Sequence, residues 1–162
     1  MDNQNYEVYF DCGSSKIRAS AFKKNDNKKS FYYEGNFLSS YKNIESEIQK
    51  IISFLEDKTE EYLNDINLMI DSSEMLSIGI SISRKLNRTK LNKEDIQFLI
   101  QDAKQQVLRD NSHQSIIHII IKNYKIDNID YNFLPNDISC NVISLDILFI
   151  CLPKLMLEYF KK

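Results

Sequence analysis

The chain has 162 residues, of which 43% are hydrophobic and 27% charged, a composition typical of globular proteins. Its 21 basic and 23 acidic residues give a net charge of −2, which does not support a nucleic-acid-binding or anionic-membrane-binding surface. The N-terminus is polar, and the most apolar stretch, 143–157, is interrupted by polar and charged residues. We therefore expect a cytoplasmic protein without a signal peptide or direct membrane insertion.

The first predicted element is a hairpin around a Gly-Ser-Ser turn. Its first strand is apolar and ends at Asp11, and its second strand covers 16–22. Gly13 can adopt backbone angles closed to other residues, so a tight turn is expected. Such a turn directs backbone N–H groups and the hydroxyls of Ser14 and Ser15 towards a phosphate, and Asp11 suits a metal ion or its waters. The alternative is an ordinary surface hairpin.

A third strand, a helix and a fourth strand are predicted next. After a polar loop at 23–29, the segment 30–37 continues the meander, and 66–70 is a short apolar strand. Asn43 is a suitable N-cap for the helix between them. The apolar stripe of this helix consists of Ile44, Ile48, Ile51, Ile52, Leu55, Tyr62 and Leu63.

The second half of the chain predicts a strand, a helix and two long strands. The segment 75–86 alternates isoleucine with small residues, and Asn92 with Asp95 forms a capping box for the next helix. Its buried stripe consists of Ile96, Leu99, Ile100, Ala103 and Val107. In the strand at 115–126, we expect Ile117, Ile119 and Ile121 on one face and Ile116, His118, Ile120 and Lys122 on the other. A loop or short hairpin at 127–137, a strand at 138–151 and a helix at 154–160 after Pro153 complete an α+β fold.

No complete active site is visible in the sequence. His113 and His118 lack partners at metal-ligand spacing, and the cysteines, Cys12, Cys140 and Cys151, lack zinc-type spacing. We expect all three thiols to be reduced, with the last two packed in apolar strands. No serine lies in a nucleophile elbow.

The order of these elements resembles the FtsA family of actin-like bacterial cell-division proteins. The segment 10–19 resembles the first phosphate motif of the actin/Hsp70/sugar-kinase superfamily. The segment 66–75 resembles the strand and loop that lead into the family's inserted strand-helix-strand-strand module, known as SHS2 or subdomain 1C. The segments 91–96, 117–127 and 143–147 are similar to the helix start and the two long strands of that module. The chain departs from the family's pattern at three places. Cys12 replaces an aliphatic residue, the segment 71–74 lacks the usual glycine, and Leu134 replaces the aspartate that usually precedes the proline at Pro135.

The resemblance implies three segments: 1–74 as the start of an actin-like, RNase H-like subdomain 1A, 75–151 as subdomain 1C, and 152–162 as a helix returning to 1A. Complete family members bind Mg-ATP between two lobes. This chain ends before the second phosphate loop, the adenosine pocket, the FtsZ-binding surface and the C-terminal membrane helix. The resemblance therefore implies half a nucleotide site, with no cofactor held and no turnover catalysed by this chain. The half-site consists of Asp11, Gly13, Ser14, Ser15 and Lys16.

For the inserted module the resemblance implies protein contacts, either with a neighbouring protomer or with the tail of a later division protein, at the inner face of the membrane at the division site. The alternatives are an ATPase or phosphotransferase of the same superfamily, and a PilM-like scaffold of pilus assembly, which shares the module. We also expect the last helix to expose Leu155, Met156 and Phe160 and so to promote self-association.

Overall fold

The computed structural model describes residues 4–13, 15–26, 30–36 and 44–160. This part of the chain is α+β, with two four-stranded, mostly antiparallel sheets and three helices. The chain divides into two compact units, Met1–Ser73 with Leu155–Lys162 and Glu74–Lys154. The second unit is one continuous segment that lies, in the sequence, between the two segments of the first.

The sheet of the first unit is a meander with one added parallel strand. Its strands are β1 (Tyr6–Cys12), β2 (Lys16–Lys23), β3 (Ser30–Asn36) and β4 (Ile66–Ile70). The order is β3-β2-β1-β4, with β4 parallel to β1 and the other pairs antiparallel. These strands confirm the predicted ones to within a residue.

Helix α1 (Ile44–Thr59) covers one face of this sheet. Its buried residues Ile51 and Leu55 share a core with alternate residues of β1 and β2, among them Phe10. Because side chains alternate along a strand, the next residues face the opposite side of the sheet. The predicted N-cap, Asn43, lies outside the described residues.

The C-terminal end of α1 differs from the prediction. The helix ends at Thr59, and Glu60 adopts a left-handed φ of 57°, so the helical stripe does not reach Tyr62. The prediction that Tyr62 packs in the core is wrong, because its side chain is 84% exposed. Leu63 is buried in the first core, but from the loop that follows the helix.

The second unit is an antiparallel sheet with one helix on its core face. Its elements are β5 (Leu76–Lys90), α2 (Lys93–Asp110), β6 (Gln114–Ile126), β7 (Ile129–Tyr131) and β8 (Ser139–Pro153). The sheet order is β5-β8-β6-β7, which makes β8 the strand that pairs with both β5 and β6. After β8, helix α3 (Lys154–Phe160) returns the chain to the first unit.

The predicted capping box of α2 is confirmed. The Asn92 side chain accepts a hydrogen bond from the Asp95 N–H at 2.8 Å, and the Asp95 carboxylate accepts one from the Asn92 N–H at 3.3 Å. The helix then buries Ile96, Leu99, Ala103 and Val107 against the sheet. The capping residues therefore predicted where this helix begins, and the apolar periodicity predicted which face it buries.

Two bulges alter the predicted faces of β6. The register between β6 and β8 shifts between Ile116 and His118 and again between Ile121 and Asn123. Each shift inserts an extra residue, which reverses the alternation of side chains beyond it. Ile116 therefore shares a face with Ile119 and Ile121, opposite buried residues of β8, and the predicted assignment of Ile116 to the other face is wrong.

The last helix exposes less apolar surface than expected. Leu155 is 73% exposed, but Met156 is buried, and Phe160 is partly buried and packs against the core of the first unit. The expectation that the three side chains form an exposed patch is therefore wrong for Met156. In the part of the chain that the structure describes, no helix combines the length and the apolar character needed to cross a bilayer.

Candidate functional site

The turn between β1 and β2 is closed by its own backbone. The last strand pair is Cys12 with Ile17, and the Gly13 N–H donates to the Lys16 carbonyl at 3.0 Å. No glycine of the described segments has a positive φ, so the expected left-handed backbone at Gly13 is not found. Glycine instead permits a close approach, because an added Cβ would lie 3.3 Å from the Lys16 carbonyl oxygen. Ser15 is exposed, and Ser14 lies outside the described residues.

Cys12 ends β1 as a fully buried residue, and its carbonyl accepts a hydrogen bond from the Asp71 N–H at 3.1 Å. Burial, helped by the negative charge of Asp11, raises the pKa of the Cys12 thiol to about 11. The thiol therefore stays protonated at neutral pH and is a poor nucleophile. Cys140 and Cys151 are buried free thiols too, as predicted.

The charged side chains beside the turn form one network on the face of the sheet opposite α1. Arg18 bridges two acids: Nη1 donates to Asp11 at 3.3 Å and Nε donates to Glu34 at 3.2 Å. Glu34 also accepts from the Lys16 ammonium and, at 2.7 Å, from the Tyr32 hydroxyl. The network contains two cations and two carboxylates, so its formal charge is balanced.

Glu34 is the centre of this network. Hydrogen bonds from Lys16, Tyr32 and Arg18 lower the pKa of its carboxyl from 4.5 to about 2. Because the folded-state pKa is depressed, the stabilisation is present above about pH 4.5 and is lost as the pH falls towards 2. Lys16 and Arg18 therefore both remain paired with a carboxylate at neutral pH.

A shallow depression of about 410 Å³ continues from this network along the open face of the sheet. The register places Tyr9 and Tyr32 on either side of Ser20, whose small side chain leaves room between the two rings. Phe22 meets the Tyr9 ring edge-on, with 6.0 Å between centroids, and Met69 adds an apolar wall. Asp11 and Arg18 line the charged end.

The structure brings two of the predicted site residues, Asp11 and Lys16, into one network through Arg18 and Glu34. In this arrangement the turn does not fit a triphosphate, because the Gly13 N–H is donated to the backbone and both cations are held by carboxylates. A phosphate group would have to displace Glu34. Among the described residues, no group of three or more His, Cys, Asp or Glu side chains could hold a metal ion.

Glu34 and Tyr32 were not predicted from the sequence, although a signal for them was present. In a three-stranded meander, Tyr32 and Glu34 alternate onto the face that carries Arg18 and Ser20 on the neighbouring strand. Opposite charges on adjacent strands attract each other. Applying the register of the meander to the charged residues would therefore have predicted the pair formed by Arg18 and Glu34.

If the turn is part of a nucleotide site, Glu34→Gln should strengthen binding of Mg-ATP to this chain by about fivefold, because it releases Lys16 and Arg18 from a competing carboxylate. Isothermal calorimetry of both proteins measures the change. Glu45→Gln, on the exposed side of α1, is the control for the change in net charge alone. Equal effects of the two substitutions, or none, would contradict a phosphate role for the turn.

No protein-family model matches the chain, and no curated protein is significantly similar to it. The element order and the contacts described above are therefore the basis for inferring a function.

Proposed function

We propose that this chain is part of an FtsA-like, actin-family cell-division protein and acts through protein contacts of its second unit, at the inner face of the membrane. One observation carries the proposal. A meander, a helix and a strand come first. The second unit follows as a long strand, a helix, a long strand, the three-residue strand β7 and a last long strand, before the chain returns to the first unit through α3. Apart from the added β7, this is the order that the resemblance to subdomains 1A and 1C implies.

The geometry of the turn does not support catalysis by this chain. Transfer of a phosphoryl group requires contacts on several sides of the phosphates and a held metal ion. The turn offers one side only, and Lys16 and Arg18 are already paired with carboxylates. We therefore assign the turn to the ancestry of an actin-like fold, as half of a nucleotide site, and derive no catalytic step from it.

The second unit supplies surfaces suited to protein contact. Its sheet has α2 on one face, and β5 ends the sheet on one side. The other face carries Gly79, and an added Cβ there would meet no atom of the described chain within 4 Å. Strand edges and uncovered sheet faces are common sites of protein recognition.

Co-purification tests the proposal directly. The tagged chain is expressed in its native cell, and the proteins recovered with it are identified by mass spectrometry against a control with the tag alone. We expect known division proteins. Recovery of pilus-assembly proteins without division proteins would favour the PilM-like scaffold, whose inserted module is the same.

Catalysis is tested separately with the purified chain. Calorimetric titration with Mg-ATP and a phosphate-release assay should show weak binding at most and no turnover. Clear turnover would overturn the assignment as a binding module and favour an ATPase or phosphotransferase of the same superfamily.

A further inference from the structure

Strand β5 presents a long edge. Residues 76–85 pair with β8 in a continuous register, and no strand among the described residues pairs with the other side of β5. We call this side the open edge. Ten residues of strand are about 33 Å long, which is sufficient for pairing with another extended chain.

The open edge lacks the features that usually prevent edge-to-edge pairing. Natural edge strands are protected by lysine, proline, bulges or charges that point inward. The segment from Leu76 to Ser83 contains no charged residue, no proline and no register shift. Protection begins only beyond it, with Arg84 and Lys85 and with the irregularity between Lys85 and Thr89.

The sequence of this edge is nearly symmetric about Ile80. An antiparallel second copy centred there would set Ile78 opposite the partner's Ile82, Ser77 opposite the partner's Ser83, and Gly79 opposite the partner's Ser81. The isoleucines lie on the core face and are only partly buried in one copy. Pairing would cover them further and would place small residues opposite small residues on the other face.

The charges flanking the segment favour the same arrangement. Glu74 precedes the uncharged segment, and Arg84 and Lys85 follow it. Antiparallel pairing brings Lys85 next to the partner's Glu74. It separates Arg84 from the partner's Arg84 by about 26 Å. A parallel, in-register pair would place like charges side by side, which is unfavourable.

We propose that β5 pairs antiparallel with β5 of a second copy of this chain, so that the two sheets join into one. This inference deepens the proposed protein-contact function by naming one partner of the second unit. It depends only on the open edge, and it would stand even if the chain proved to bind no division protein. The contact is one strand pair, so we expect a weak, reversible dimer, with a dissociation constant on the order of 10–100 μM.

Sedimentation equilibrium of the purified chain and three lysine variants tests the proposal. Gly79→Lys adds a charge at the open edge and should weaken dimerisation at least about tenfold. Ile120→Lys adds the same charge in the same cross-strand row, which runs from Gly79 through Leu148 to Ile120, but on β6 instead of β5, and should leave dimerisation unchanged. A monomer at all concentrations, or a dimer disrupted by Ile120→Lys or Leu155→Lys but not by Gly79→Lys, would overturn the proposal.

Cysteine cross-linking gives a second readout that does not depend on how well the lysine variants fold. The double variant Ser77→Cys with Ser83→Cys places two thiols opposite each other across the proposed dimer, and mild oxidation should yield a covalent dimer. The native cysteines are buried and should not contribute. Either single variant should remain monomeric on a denaturing gel. A double variant that does not cross-link, or single variants that cross-link equally well, would contradict antiparallel pairing about Ile80.

Discussion

Phe149→Ala should lower the free energy of unfolding of the second unit by about 3–5 kcal/mol, because it leaves a large cavity in the core. Phe149 is 0% exposed and lies on β8, where it pairs with Ile78 of β5 and Ile119 of β6. Its ring lies in the same core as Leu99 of α2, so its loss removes contacts on several elements. Hydrogen exchange of the β8 amides measures the change locally.

Phe133→Ala is the matched control for this prediction. The same atoms are removed, but Phe133 is 74% exposed in the loop after β7, so the change should stay within about 0.5 kcal/mol. Similar losses for the two variants would show that Phe149 does not occupy the packed centre of this core.

Leu55→Ala should destabilise the first unit by about 2–5 kcal/mol. Leu55 is fully buried in the last turns of α1 and belongs to the core that contains Val8 and Phe10 of β1. The substitution removes most of the Leu55 side chain, which packs between α1 and the sheet. Hydrogen exchange of the β1 and β2 amides, measured alongside urea unfolding, should report the loss.

Leu155→Ala provides the comparison for Leu55→Ala. Leu155 belongs to α3 and is largely exposed, so its truncation should change the stability by about 0.5 kcal/mol or less. If Leu155→Ala were as damaging as Leu55→Ala, the assignment of α1 as the main cover of the first sheet would be wrong.

The helices and strands were largely predictable because their signals are local. Alternation of apolar residues identified the strands of both units, and the pair Asn92 and Asp95 marked the start of α2. The end of α1 was not predictable from periodicity, since Tyr62 continues the apolar spacing although the backbone has already left the helix at Glu60. The proposed actin-like relationship stays a proposal.

The candidate site was predictable only in part. Asp11 was selected for its position beside a turn and Lys16 through the resemblance to a phosphate motif, and the structure places both on the same charged face. Their partners Arg18 and Glu34 come from neighbouring strands, so their contacts depend on register, which the sequence analysis did not apply to charged residues. The network limits what the turn can bind, because it pairs both Lys16 and Arg18 with carboxylates.

The sequence by itself determined which segments are helices or strands and which stripes are apolar, since period and capping are properties of consecutive residues. Only the tertiary structure decided which of those segments pair or pack against one another. The bulges of β6 moved Ile116 to the core face, and the order β5-β8-β6-β7 left the near-symmetric segment around Ile80 at an edge. Strand order and the bulges of β6 depend on contacts between residues far apart in the chain, and the periodicity of a single segment does not specify them.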